Sequence, residues 1–194
     1  MGEIKNNITK LISESGSKFK AKKAAEEWFT KGKSSSKEKS VATVSKRFSA
    51  GKIYVFRYAP IGARDLPWFD KNPVVLALDP AGDNDVGINL NLLPIQVKED
   101  LLDKVYGQFS AEIARRSTGP MKNDALKQMK LSINWNDAKG FLSKYTFAIR
   151  QYKPGRKSGQ TVVSYENWAK IVLCDFADLN GTSYNQLRRL FENG

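Results

Sequence analysis

Ile4, Ile8, Leu11 and Ile12 recur at helical spacing, and so do Ala21, Ala24, Ala25, Trp28 and Phe29, so the chain opens with two predicted short helices. Ser13-Glu14-Ser15-Gly16-Ser17 between them, and the run Lys31 to Ser40 after them, hold too little apolar surface to order themselves. Residues 1–50 therefore read as a basic, partly helical N-terminal arm and linker whose helices need a partner surface. The pattern changes at Gly51. Lys52 to Tyr58 alternates, with Tyr54, Phe56 and Tyr58 on one face and Ile53, Val55 and Arg57 on the other, which predicts a strand. Pro60, Gly62 and Pro67 break the chain, Pro73 opens a compact apolar strand Val74 to Leu78, Asp79 to Asp85 reads as a turn, and Val86 to Leu92 alternates again.

After Pro94 the stripe Val97, Leu101, Leu102, Val105, Phe109 and Ile113 predicts a helix over 95–116, with Arg115 and Arg116 placed to meet the helix dipole. Residues 121–143 read as helix in pieces, interrupted near Asn134 to Gly140. Tyr145 to Tyr152 reads as a strand, and Lys153 to Gly159 as a basic loop. Ser164 is positioned to cap a short helix through Trp168, and Ser183 to Gln186 has capping-box spacing before Leu187, Leu190 and Phe191. The expected class is α+β: a small antiparallel, SH3-like β core decorated by helices in a globular domain 51–194, with the extended arm 1–50 appended.

Charge changes this picture most. The chain has 194 residues and a formal net charge of +12, and residues 1–50 carry 12 Lys/Arg against 5 Asp/Glu. A quarter of the chain thus holds more than half of the excess, which suits either a polyanion, bound with release of its counterions, or a solvated surface. Lys18, Lys20, Lys22, Lys23, Lys31 and Lys33 are the candidate phosphate contacts of the arm, with Arg156 and Lys157 as a second patch. Trp28-Phe29 and Trp68 are candidate anchors for docking a protein neighbour; an aromatic beside a basic run can also stack on single-stranded bases.

Histidine is absent and Cys174 is the one cysteine. Ser-His and Cys-His nucleophiles and ordinary Cys/His zinc sites are therefore excluded, and Cys174, inside the apolar run Ile171 to Phe176, reads as a buried thiol. Asp79, Asp83 and Asp85 would suit a divalent metal by residue type, but the spacing lacks a calcium-loop pattern, and Asp, Asn and Gly are also what a tight turn requires. No phosphate-loop or dinucleotide glycine pattern is present. The expectation is no enzyme, no metal, no cofactor and no membrane span, and folding in a reducing cytoplasm.

Three segments taken in order carry a resemblance: Gly51-Lys52-Ile53-Tyr54-Val55-Phe56-Arg57-Tyr58, then Leu66-Pro67-Trp68-Phe69-Asp70-Lys71-Asn72-Pro73-Val74-Val75, then Gly87-Ile88-Asn89-Leu90-Asn91-Leu92-Leu93-Pro94. Their succession resembles the core pattern of the DNA end protector proteins of T-even-like tailed bacteriophages, small virion structural proteins, and is best matched over about 51 to 106. Tyr165 to Ile171 matches a later acidic-Trp segment weakly. Trp68-Phe69 stands where the family commonly has two tyrosines, and Asn91 where it commonly has a histidine. The resemblance implies a virion protein, assembled in the host cytoplasm, that associates with the packaged DNA terminus and shields it from host exonuclease. Two other classes stay open: a neck, tail or baseplate adaptor that docks portal, neck or tail components without touching DNA, and a metal-dependent nuclease using Asp79, Asp83 and Asp85. Within the second segment, Pro67 and Pro73 bracket a rigid connection, Asp70 has a turn role, and Trp68-Phe69 is expected to close one end of the barrel over Val74 to Leu78.

Overall fold

The computed structural model describes residues 2–35, 47–61, 70–116 and 135–175. Two helices come first, α1 (Glu3–Ser15) and α2 (Lys18–Ser35), followed by β1 (Ile53–Tyr58), β2 (Val74–Ala77) and β3 (Asp85–Asn89). Next are α3 (Ile95–Arg116), α4 (Trp135–Phe141), β4 (Ile149–Tyr152), β5 (Lys157–Val163) and α5 (Trp168–Leu173), with short 3-10 turns before β4, between β4 and β5, and before α5. The five strands form one antiparallel sheet in the order β4-β3-β2-β1-β5. The class is α+β, and among the described residues the sheet is open.

Strand alternation sorts the core into two clusters, because successive side chains point to opposite faces of a sheet. Ile53, Val74, Leu76, Leu78, Val86, Ile88 and Ile149 face the helices in an aliphatic core completed by Leu102 and Trp168. Tyr54, Phe56, Val75, Ala77 and Tyr152 face the other way and gather around Phe48. On that second face Tyr152 of β4 meets Phe56 at 5.2 Å and Tyr58 at 5.1 Å between ring centroids, although β3 and β2 lie between β4 and β1. The sheet is therefore strongly curled around its aromatic face. Asp85 and Lys157 form a buried ion pair across the same face, and Arg47 Nε donates to Asp85 at 2.9 Å. The Lys157 amine lies 3.9 Å from the Phe48 ring centroid; burial pushes its pKa down, and the Asp85 carboxylate opposes that shift.

The segments that carry the family resemblance meet in space. Asp70 accepts from the Asn72 backbone N–H at 3.0 Å, the expected turn contact, and from Asn89 Nδ2 at 3.2 Å and Asn91 Nδ2. Asn91 also donates to the Asn72 carbonyl at 3.2 Å. Gly87 belongs to the same set, since a Cβ there would lie 2.2 Å from Val75 Cγ1 and 2.8 Å from the Leu76 carbonyl oxygen. Only glycine lets β3 approach β2 that closely.

Several expectations change. The helices predicted within 1–50 are present, but their partner surface is this chain's own core: Ile4, Ile8, Ala21, Ala25 and Phe29 are buried with the sheet's aliphatic face. Over residues 2–35 the segment is therefore not an extended arm. Asp103 of α3 accepts the Ile4 N–H at 3.0 Å, Asp100 pairs with Lys5 at 3.0 Å, and Tyr106 donates to Glu3 at 2.9 Å, fastening α1 along α3. Helix α2 runs to Ser35, through lysines and serines expected to be unstructured, because its first three turns are anchored and a helix once nucleated extends cheaply. Residues 90–92 tighten into a 3-10 turn, and α4 occupies the expected break near 134–140. The basic loop 153–159 is a 3-10 turn leading into β5, so Lys157 begins a strand. The helix over 95–116 and the β1, β2, β3 meander are found as expected. Trp68-Phe69 and the capping box at 183–186 lie outside the described residues.

Removing the Asp70 carboxylate leaves two buried asparagine amides short of an acceptor. Asp70→Ala is expected to cost about 3 kcal/mol in urea unfolding, at the level of an unsatisfied buried polar pair. A second expectation concerns Lys98, fully buried in α3, whose amine donates to the Cys174 carbonyl. Burial pushes its pKa from 10.5 to about 8. Between those values the unfolded chain holds the extra proton, so stability should rise with pH, by about 2 kcal/mol from pH 8 to 10. Above pH 10 the sign reverses, because burial raises Tyr106 and Tyr165 to about 12 and the unfolded chain then releases protons first. Urea melts across pH 7 to 11 should show a maximum near pH 10, and Lys98→Met should flatten its alkaline rise.

Candidate nucleic-acid interface

Helix α2 presents two different faces. Ala21, Ala25 and Phe29 are buried at the i, i+4, i+8 spacing of one stripe. Beside that stripe the helix is tied down by charge: Lys22 Nζ lies 3.2 Å from Asp175 and 3.9 Å from Glu26, and Glu26 accepts the Asp175 N–H at 3.3 Å. Lys170 of α5 sits 5.1 Å from the ring centroid of half-buried Trp28. These contacts fix the rotation of α2 about its own axis, so the remaining side chains have a defined outward direction.

Lys18, Lys20, Lys23 and Lys31 stand exposed, interrupted by the one acid Glu27. Lys20, Lys23 and Lys31 lie along the side opposite the alanine stripe, and Lys18 stands at the helix start. Ser17 Oγ accepts the Lys20 N–H at 3.2 Å and caps that end. A row of cations on a rigid helix provides point charges at fixed spacing, which suits the phosphates of a nucleic-acid backbone.

Not every lysine chosen from the sequence belongs to this face. Lys22 is committed to Asp175 and Glu26, and Lys157 is buried against Asp85 and Phe48. Both are structural cations. Arg156 remains exposed in the 3-10 turn between β4 and β5, while the side chain of Lys33 lies outside the described residues. Of the docking anchors, Phe29 is 5% exposed and packs inward, Trp28 is half buried against the core, and Trp68 lies outside the described residues.

Asp79, Asp83 and Asp85 do not converge. The Asp85 carboxylate receives Arg47, the Phe48 N–H at 3.0 Å and Lys157, whereas Asp83 is exposed in the turn where Gly82 adopts a φ of 60°. Among the described residues no group of three or more acidic or Cys side chains could hold a metal ion. No helix among them is long and apolar enough to cross a membrane.

The sequence reading missed Phe19, which is 74% exposed between Lys18 and Lys20. The signal was available: in a helix whose buried stripe is Ala21, Ala25 and Phe29, position 19 falls off that stripe.

Neither a curated protein nor a solved structure matches the chain. A family model does, that of the Phage T4 terminal DNA protecting protein, and it matches residues 1–188, which include α1 and α2 as well as the curled sheet. Within that span, side-chain amides and backbone groups join Asp70 and Asn72 to Asn89 and Asn91. The chain belongs to the phage T4 terminal DNA protecting protein family.

Proposed function

We propose that the protein is a virion component that binds the end of the packaged DNA and shields it from host exonuclease, with the outward face of α2 as its phosphate-contacting surface. One observation carries the assignment of the surface: Lys20, Lys23 and Lys31 are exposed opposite the face of the helix that is locked into the core, and Lys18 is exposed at its start. Arg156 adds a second contact. Shielding of this kind works by occupancy, so the reading needs no catalytic residue and no cofactor.

The same reading takes the curled sheet as a small SH3-like β core. It is supported by the strand order, in which β5 returns beside β1, and by the 3-10 turn that carries the chain from β4 to β5. Assembly in the host cytoplasm, and contact with portal, neck or tail components through Trp68, complete the proposal. An adaptor that never touches DNA would leave the exposed lysine row without a role.

Binding of a short duplex should weaken steeply with salt, with a log–log slope of about −4.5 if the four α2 lysines and Arg156 each neutralise one phosphate. Replacing Lys20, Lys23 and Lys31 together by alanine should reduce the slope by about 3 and leave the melting temperature in place. A slope that the triple variant does not change would remove α2 from the interface. Lys157→Met should do the opposite of Arg156→Ala. The first strips a buried carboxylate of its partner and should cost about 3 kcal/mol of stability, with DNA affinity of the folded protein retained. The second should leave stability unchanged and lower the salt slope by about 1.

A further inference from the structure

We infer that Phe19 is the end-reading residue: its ring stacks on the exposed face of the terminal base pair while the neighbouring lysines hold the flanking phosphates. The inference rests on the DNA-end reading above and assigns within it the group that distinguishes an end from the interior of a duplex. Lysines cannot make that distinction, because the phosphate backbone looks alike everywhere along the helix. What an end alone offers is a base pair with one face unstacked, and the side chain that recognises such a face is an aromatic ring.

Phe19 is 74% exposed, whereas the other aromatic rings of α2, Trp28 and Phe29, pack on the core. Its position is not adventitious to the charge pattern. Lys18 and Lys20 flank it in sequence, and Lys23 lies one turn ahead on the same side at i, i+4, where side chains are neighbours. An exposed ring set among cations is repelled by nothing in DNA and complements both of its features, the anionic backbone and the apolar base face. The helix that carries the ring is also held firmly in place. Ala21 and Ala25, two and six residues from Phe19, seat the helix on the core, and Lys22, three residues away, pins it to Asp175, so stacking requires little further ordering of the backbone.

The test uses the full chain and two DNAs of one sequence: an open duplex with 2-aminopurine at its terminal position, and the same duplex closed at both ends by hairpin loops. Wild type is expected to prefer the open duplex and to change the 2-aminopurine fluorescence on binding. Phe19→Ala should lower the preference on the order of tenfold, abolish the fluorescence change, and keep the affinity for the closed duplex and its salt slope. Phe19→Trp should retain the preference. Since the side chain is exposed, the melting temperature of each variant should match wild type, which separates loss of stacking from loss of fold. Phe19→Ala with its end preference intact, or with equal loss on both DNAs, would overturn the inference, as would a wild type that binds both DNAs equally through its lysines. Absence of any DNA binding by wild type would instead bring down the underlying reading. Reduced incorporation of Phe19→Ala into particles, with end preference unchanged, would assign the ring to a protein neighbour and reject stacking.

Discussion

Between Tyr152 and Lys157 the chain passes from one edge of the sheet to the other in four residues, three of them in a 3-10 turn. Fully extended, that connection reaches at most about 18 Å. Across a flat sheet, β4 and β5 would stand four strand spacings apart, about 19 Å. They are also offset lengthwise, because Tyr152 pairs with Asp85 near the level where β1 begins, whereas Lys157 pairs with Tyr58 where β1 ends. Through the pairings of β3 with β2 and of β2 with β1, Asp85 stands level with Ala50, so the offset is roughly 26 Å and a flat sheet would demand about 32 Å of a chain that cannot supply it. The sheet has to curl, and the curl brings Tyr152 against Phe56 and Tyr58 and carries Lys157 to Asp85. It also leaves the convex, aliphatic face to be covered by helices, which is the place α1, α2, α3 and α5 take.

The parts that were legible in the sequence are those where local pattern and tertiary environment agree. β1 alternates because both of its faces are buried in different clusters, and α3 shows its stripe because only one of its faces meets the core. β5 was not legible. Lys-Ser-Gly-Gln-Thr-Val-Val is a half-exposed edge strand with no apolar period, and its pairing with β1 is a tertiary event. The N-terminal helices could be read, but not where they dock, since an alanine stripe fits a neighbouring protein as well as a domain's own core. Charge shows the same limit. The sign of the basic excess was plain, yet whether a lysine faces solvent or an internal carboxylate depends on a partner far along the chain. Lys22 and Lys18 look alike until Asp175 is placed beside one of them.

The core segments that carry the family resemblance divide their work in a way that composition does not suggest. Asp70, Asn72, Asn89 and Asn91 bind the approach to β2 to the exit from β3 through side-chain amides, and Gly87 lets the two strands come close. The asparagine at 91 donates both to Asp70 and to the Asn72 carbonyl, a pair of bonds available to an amide nitrogen with two hydrogens. A polar knot of this kind specifies register, because a one-residue slip would turn every member to the opposite face. The exposed lysine row lies on a different part of the molecule, a helix outside the knot whose orientation the core determines.

Helix α2 is made well before the elements it leans on. Its inner face rests against α5, and Lys22 reaches Asp175, which lies 153 residues further along the chain. The basic face cannot acquire its fixed direction until residues 168–175 have been made and have joined the fold. Contacts so distant in sequence close slowly, after the local helices have formed. A chain stopped short of Trp168 would carry the lysines but not the surface that aims them, so the direction of the row is set by residues 168–175.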